Sequence, residues 1–193
     1  EKTWDGKRKN ELSQLKKVLE DWYNDKNCYP KPQEICYDSP SQISDGSYIC
    51  HICGNDSNSP SFSPYLSQLP CDPQHPVKKF LYQIDNPDCP SYYRIYTRLS
   101  FHRDPSVKEV GCQYFCGPVN EPLAYNYAVT SPNTSPQSNE TRTMYYCSSK
   151  GNCTSIEQNC PSNQIRICDP SYIDPNCGGS GCPTQSQCRC VNL

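Results

Sequence analysis

Apolar residues in the opening segment recur at steps of three and four. Leu12, Leu15, Val18, Leu19 and Trp22 set the rhythm, and at about 100° per residue Trp4 and Tyr23 project onto the same side. The spacing predicts one amphipathic helix over about residues 3–25, with Trp4, Leu12, Leu15, Val18, Leu19 and Trp22 as its packing face. Arg8 and Glu11 interrupt the stripe, so the first two turns are expected to be less deeply covered than the stretch from Leu12 onward. Their charge excludes burial of these turns in a membrane. Asn24-Asp25-Lys26-Asn27 ends the helix, before Pro30 and Pro32 forbid continuation.

The period changes further along. Strand-like runs fall at Lys79 to Ile84, Tyr92 to Phe101 and Leu123 to Thr130. In the second, Tyr93, Ile95, Thr97 and Leu99 alternate with Tyr92, Arg94, Tyr96 and Arg98, the pattern of a half-buried antiparallel strand. One helix followed by an antiparallel sheet is an α+β plan, in which the helix stripe and the inward face of the sheet are each other's expected partners. Residues 28–64 are rich in Ser, Pro, Asn and Asp without sustained periodicity, and read as a long connection pinned by disulfides. Thr130 to Arg142 (TSPNTSPQSNETR) reads as a linker. The expected organisation is a helix-and-sheet domain over 1–133, with its sheet at about 79–130. Residues 134–193 then hold the linker and a cysteine-rich module with little regular structure.

Cysteine usage narrows the picture most. Eight cysteines precede Asn133 (Cys28, Cys36, Cys50, Cys53, Cys71, Cys89, Cys112, Cys116) and eight follow it (Cys147, Cys153, Cys160, Cys168, Cys177, Cys182, Cys188, Cys190). Sixteen thiols point to an oxidising compartment, and the even split lets each half close its own set of bridges. Pairing partners stay open at this stage. Because only 34% of the chain is hydrophobic, cross-links must supply much of the stability that a larger core would give. No export signal or membrane-spanning apolar run is present, so a removed export signal is expected. The net charge of −2 carries no signature of nucleic-acid binding, and the early lysines read as a solvated helix face.

Candidate chemistry is sparse. Cys50-His51-Ile52-Cys53 and Cys112-Gln113-Tyr114-Phe115-Cys116 read as structural disulfide positions rather than redox or zinc motifs. His51, His75 and His102 are assigned to different loops without partner spacing, so no catalytic constellation, cofactor site or metal site is expected. Asp85, Asn86 and Asp88 read as a turn that bends the chain. The fifteen tyrosines are expected to pack the sheet rather than to bind glycans or stack on single strands.

Three segments resemble type IV pilins and type II secretion pseudopilins. KNELSQLKKVLEDWYNDKNCYP (Lys9 to Pro30) is similar to the family's amphipathic helix ending in an aromatic, a polar turn and Tyr-Pro. YLSQLPCDP (Tyr65 to Pro73) resembles the segment leading through Leu-Pro to Asp-Pro where the sheet begins, and LAYNYAVTSPN (Leu123 to Asn133) resembles the closing strand. The resemblance covers residues 1 to about 133 and lacks the family's membrane-spanning half-helix and leader. It implies a non-catalytic subunit of an extracellular filament, major or minor, displayed on the cell surface and held in the inner membrane by a missing N-terminal helix before assembly. Its implied partners are further copies of itself or related pilins. Lys9, Glu11, Lys16 and Lys17 would then lie in or near an intersubunit zone. The cysteine-rich tail has no counterpart in that family and is expected to meet a surface receptor or glycan. A pseudopilin role, or a secreted adhesion module, is the alternative.

Overall fold

A computed structural model describes residues 2–101, 103–113, 115–118 and 125–138, and the strand backbone of residues 145–147, 153–154, 164–169 and 187–192. The chain divides into two compact units, Glu1–Gln137 and Ser138–Leu193.

The first unit is α+β. Helix α1 spans Lys2–Lys26 and ends where Asn27 adopts a left-handed φ of 57°, its amide bonding back to the Tyr23 carbonyl at 2.8 Å. Asparagine tolerates that conformation better than most residues, which makes it a natural stop. Five strands follow: β1 (Ser41–Gln42), β2 (Tyr48–Ile52), β3 (Phe80–Ile84), β4 (Tyr93–Thr97) and β5 (Tyr127–Thr130). They pair in chain order, all antiparallel. Two short helices, α2 (Pro32–Ile35) and α3 (Pro105–Glu109), occupy the connections. Leu12, Leu15 and Leu19 of α1 are fully buried in the same cluster as Phe80, Tyr82, Ile84, Tyr93 and Ile95. Among the described residues no helix is long and apolar enough to cross a membrane.

Four disulfides join the eight cysteines of this unit: Cys28–Cys89, Cys36–Cys50, Cys53–Cys71 and Cys112–Cys116. So many bridges suit an oxidising extracellular or secreted setting. Cys28–Cys89 closes a 61-residue separation, so in the chain-entropy picture it contributes most, about 4 kcal/mol, against about 2 kcal/mol for the short Cys112–Cys116 loop. The two cysteines of C-x-x-C go to different partners. Side chains three apart on an extended chain point to opposite faces, so Cys50 on β2 and Cys53 just past its end diverge.

Four expectations need correction. The segment 28–64 is not merely a connection, since it contributes α2, β1 and β2, and β2 pairs with β3 over five residue pairs. The run Tyr92 to Phe101 yields a strand only over Tyr93–Thr97. Past it the Leu99 amide bonds Asn126 Oδ1 at 2.7 Å, and the Ser100 and Phe101 amides bond the Asp5 carboxylate, so side chains replace the ladder. The sheet is not half-buried at its centre: all five residues of β3 are buried, and so are Ile95, Tyr96 and Thr97 of β4. On its second face the stretch read as a linker bonds Gln83, Arg94 and Tyr96 and is pinned as far as Gln137, while Tyr125 packs on Tyr96.

Gln137 is the fastening point of that stretch. Its amide donates to Tyr96 Oη at 3.1 Å and its side chain donates to Asp45 Oδ2 at 2.8 Å. Its side-chain oxygen accepts from Gln83 Nε2 at 3.1 Å, and its carbonyl accepts from the Gly117 amide at 3.0 Å. Arg94 adds bonds to the Ser135 carbonyl and Thr134 Oγ1. Burial pushes the Tyr96 phenol up to about 12, so it stays a neutral donor and acceptor at physiological pH.

The second unit, expected to have little regular structure, instead holds a four-stranded sheet of β6 (Tyr145–Cys147), β7 (Cys153–Thr154), β8 (Gln164–Asp169) and β9 (Gln187–Asn192), in the order β7-β6-β9-β8. The β6–β9 pair is parallel and the other two pairs are antiparallel. Cys147 stands opposite Cys153 and Cys168 opposite Cys188 in register. The bridges of Cys147, Cys153, Cys160, Cys168, Cys177, Cys182, Cys188 and Cys190 lie outside the described residues.

Candidate functional site

The long helix is the element with most to say about function, and its anchorage runs along one unbroken stripe. Positions 5, 8, 12, 15 and 19 are all buried, a strict three-four alternation. Leu12, Leu15 and Leu19 continue it as apolar contacts, while Asp5 and Arg8 continue it as charge. Arg8 is completely buried. Its Nε donates to Asp72 Oδ2 at 2.8 Å, Nη2 donates to Asp72 Oδ1 at 2.9 Å and to Gln74 Oε1 at 2.8 Å, and Nη1 donates to Asp5 Oδ1 at 2.8 Å. Such two-pronged geometry is the strong form of an ion pair. Burial works against the guanidinium charge, but the hydrogen bonds and charges of Asp72 and Asp5 more than offset it, so its pKa rises. Asp5 in turn receives the Ser100 and Phe101 amides, tying the first turns to the end of β4.

This corrects the expected packing face. Trp4 lies one residue off the stripe and is 42% exposed, because the inward position of that turn belongs to Asp5. The first two turns are as deeply held as the rest. Val18 and Trp22 are partly buried against the core, as their spacing predicts. Trp22 stacks on Phe62 at 4.8 Å and meets Tyr65 at 4.9 Å, while Tyr65 Oη donates to Asp25 at 2.7 Å. Glu20 accepts from the hydroxyls of Tyr29 and Tyr93, both held above the usual phenol range, chiefly by burial.

Of the four helix charges assigned to a contact zone, Lys16 and Lys17 are exposed. Lys9 is engaged within the unit, 2.5 Å from Asp104. Burial raises the Asp104 pKa, but the bonds from Lys9 and Ser106 outweigh it and hold the carboxyl below its ordinary range. Glu11 lies 3.6 Å from Lys7, and its Oε2 is buried without a hydrogen bond. Burial accordingly raises its pKa against the opposing charge of Lys7. Beside this part of α1 runs a groove of about 460 Å³, lined by Ser13 and Lys16 of the helix, Glu109 of α3, and Tyr127 and Thr130 of the edge strand β5.

A second constellation escapes the linear pattern. His51 lies within β2 rather than in a loop, and its Nδ1 stands 2.6 Å from Asp38 Oδ2. His75 lies far along the chain, yet both imidazoles meet the ring of Tyr37, His51 at 6.3 Å and His75 edge-on at 5.6 Å. His75 Nε2 is 3.7 Å from Asp56, and its Nδ1 is buried without a partner. One sulphur each from Cys53 and Cys71 and a ring nitrogen of His75 lie within 4.8 Å of one another. No sequence spacing announces this group, because a disulfide and a strand pairing bring it together. Asp85 accepts from Ser91 and Asn86 from the Asp88 amide, which folds their turn. His102 lies outside the described residues.

Comparison with protein-family models, curated proteins and solved structures finds no match to this chain.

Proposed function

We propose that the first unit is the globular part of a type IV pilin-like filament subunit, and that the second unit is a disulfide-bonded module displayed for contact with a receptor or glycan. One observation carries the reading. A 25-residue helix is fastened along a single stripe by ions at one end and leucines and aromatics at the other, while Trp4, Lys16, Lys17 and Tyr23 stay exposed. Such a helix can serve its own domain on one side and neighbouring copies on the other. The ordered segments Lys9 to Pro30, Tyr65 to Pro73 and Leu123 to Asn133 support the same reading. In the second of them Leu69 packs in the core and Asp72 grips Arg8. The subunit's role is mechanical, so no catalytic step is assigned.

The test is to express the unit behind an apolar N-terminal helix in an assembly-competent host. Sheared surface filaments should contain the chain, and amine cross-linking should join Lys16 or Lys17 of adjacent copies. A strictly monomeric product in that host overturns the proposal. The covalent load of the first unit, with four disulfides, favours a secreted binding module as the second reading. That module would reach the medium as a monomer from an ordinary cleavable signal.

A further inference from the structure

Among the described residues, the Cys53–Cys71 bridge is unlike the other three in having an imidazole against it. The sulphurs and the nearest nitrogen of His75 fit within 4.8 Å, the spacing of atoms that share one ion. The imidazole is poised for such a role. Its Nε2 faces Asp56 at 3.7 Å and its Nδ1 is buried and unpartnered. A carboxylate behind one ring nitrogen and a metal on the other is the usual way a histidine ligand is oriented. A buried imidazole nitrogen with no hydrogen bond otherwise wants an explanation.

We propose that reduction of the Cys53–Cys71 bridge converts it, together with His75, into a Cys₂His site for a soft divalent cation, zinc above all. Asp56 orients the imidazole and is not itself a ligand. Thiolate and imidazole donors in this proportion select zinc over the hard cations, and three protein ligands leave a fourth tetrahedral position open. Tyr37 meets the same imidazole edge-on, and its hydroxyl is buried without a hydrogen bond.

The chemistry balances. A dithiol reductant of the dithiothreitol or thioredoxin class gives two electrons and two protons to the S–S bond and closes to its own disulfide. Cys53 Sγ and Cys71 Sγ then each lose a proton to solvent as they bind the cation, so affinity falls with falling pH. The two ligand segments already approach closely. Gly54, next to Cys53, lies so near the Leu69 carbonyl that an added Cβ would stand 2.1 Å from its oxygen. The Gly54 amide also donates to the Pro70 carbonyl at 3.3 Å, which ties the Cys53 loop to the segment leading to Cys71 before any ion is present.

Accessibility sets the conditions of the test, because Cys53 is fully buried and Cys71 is 8% exposed. The full oxidised chain is treated with graded tris(2-carboxyethyl)phosphine, a two-electron reductant with no thiol to compete for the metal, with and without zinc, then pulse-alkylated, and each cysteine is read by mass spectrometry while circular dichroism follows the fold. We expect zinc to slow alkylation of Cys53 and Cys71 at least tenfold. Cys28, Cys36, Cys50, Cys89, Cys112 and Cys116 should label equally with and without it. His75→Gln should abolish most of the protection, and Asp56→Asn should weaken zinc roughly 10- to 100-fold, as loss of an orienting carboxylate does. Cobalt should give a thiolate charge-transfer band in the reduced chain that His75→Gln shifts. Equal labelling of Cys53 and Cys71 in both conditions overturns the site, and so does protection unchanged by His75→Gln. Loss of the fold before Cys53–Cys71 opens also overturns it, since no folded state would then present the ligands.

Discussion

The two ends of the long helix meet the same sheet domain by opposite means. From Leu12 to Leu19 the buried stripe is aliphatic, and Trp22 closes it between Phe62 and Tyr65. From Asp5 to Arg8 the stripe is charged, and its grip depends on Asp72 lying 64 residues away. The apolar end is held by contacts that any greasy neighbour of the right shape would supply. The charged end is held by partners with no substitute, so it fixes the register of the helix more strictly than it stabilises the fold.

That asymmetry can be broken most forcibly at Arg8. Arg8→Ala leaves Asp5 and Asp72 buried without their counter-charge and should cost about 4 kcal/mol, the usual toll for half of a buried pair. Urea denaturation would measure it. Replacing the whole cluster at once (Arg8→Met, Asp5→Asn, Asp72→Asn) should cost less than the single change, because no lone charge remains. At the other end Leu15→Ala opens a cavity and should cost about 3 kcal/mol in the same assay. If it proved much dearer than Arg8→Ala, the charged end would be secondary.

Acid sharpens the comparison further. The folded Asp104 carboxyl has a pKa below its unfolded value of about 3.9, so the stability it adds through Lys9 is complete above that pH. It is lost as pH falls through the folded value. The pair is partly solvated, so the effect is about 0.5–1 kcal/mol. Asp104→Asn should remove that part of the acid sensitivity, read as a flatter stability curve between about pH 5 and pH 2. The smallest effect belongs to Trp4→Ala, expected within about 0.5 kcal/mol because the ring lies off the buried stripe. In a filament assay the same change should matter far more, if the exposed indole meets a neighbour.

Much of the first unit is legible from its residues. The helix, its end near Asn27 and the three later strands follow from period and turn chemistry. What stays hidden has physical causes. β2 is only five residues long and carries a cysteine and a histidine, so its period is swamped by the polar chain around it. The central strands are covered on both faces, which erases alternation, and the cover comes from a Ser- and Pro-rich stretch whose composition suggests a linker. Arg8 reads as an interruption of the stripe because charges usually face solvent, and nothing local marks Asp72 as its partner. Cysteine number reveals the oxidising setting, yet Cys50 and Cys53 part company because strand geometry turns them apart. The Tyr37, His51 and His75 grouping exists only once the chain has closed.

Gln137 has a mechanical consequence. A pull on the chain beyond Ser138 is carried to Gln137, which is stitched at once to the Asp45 turn, to Gln83 and Tyr96 on the sheet, and to Gly117. Those stitches share one residue, so the load is divided among them. Tension is thereby spread across the face of the sheet rather than delivered to the edge strand β5 at Thr130.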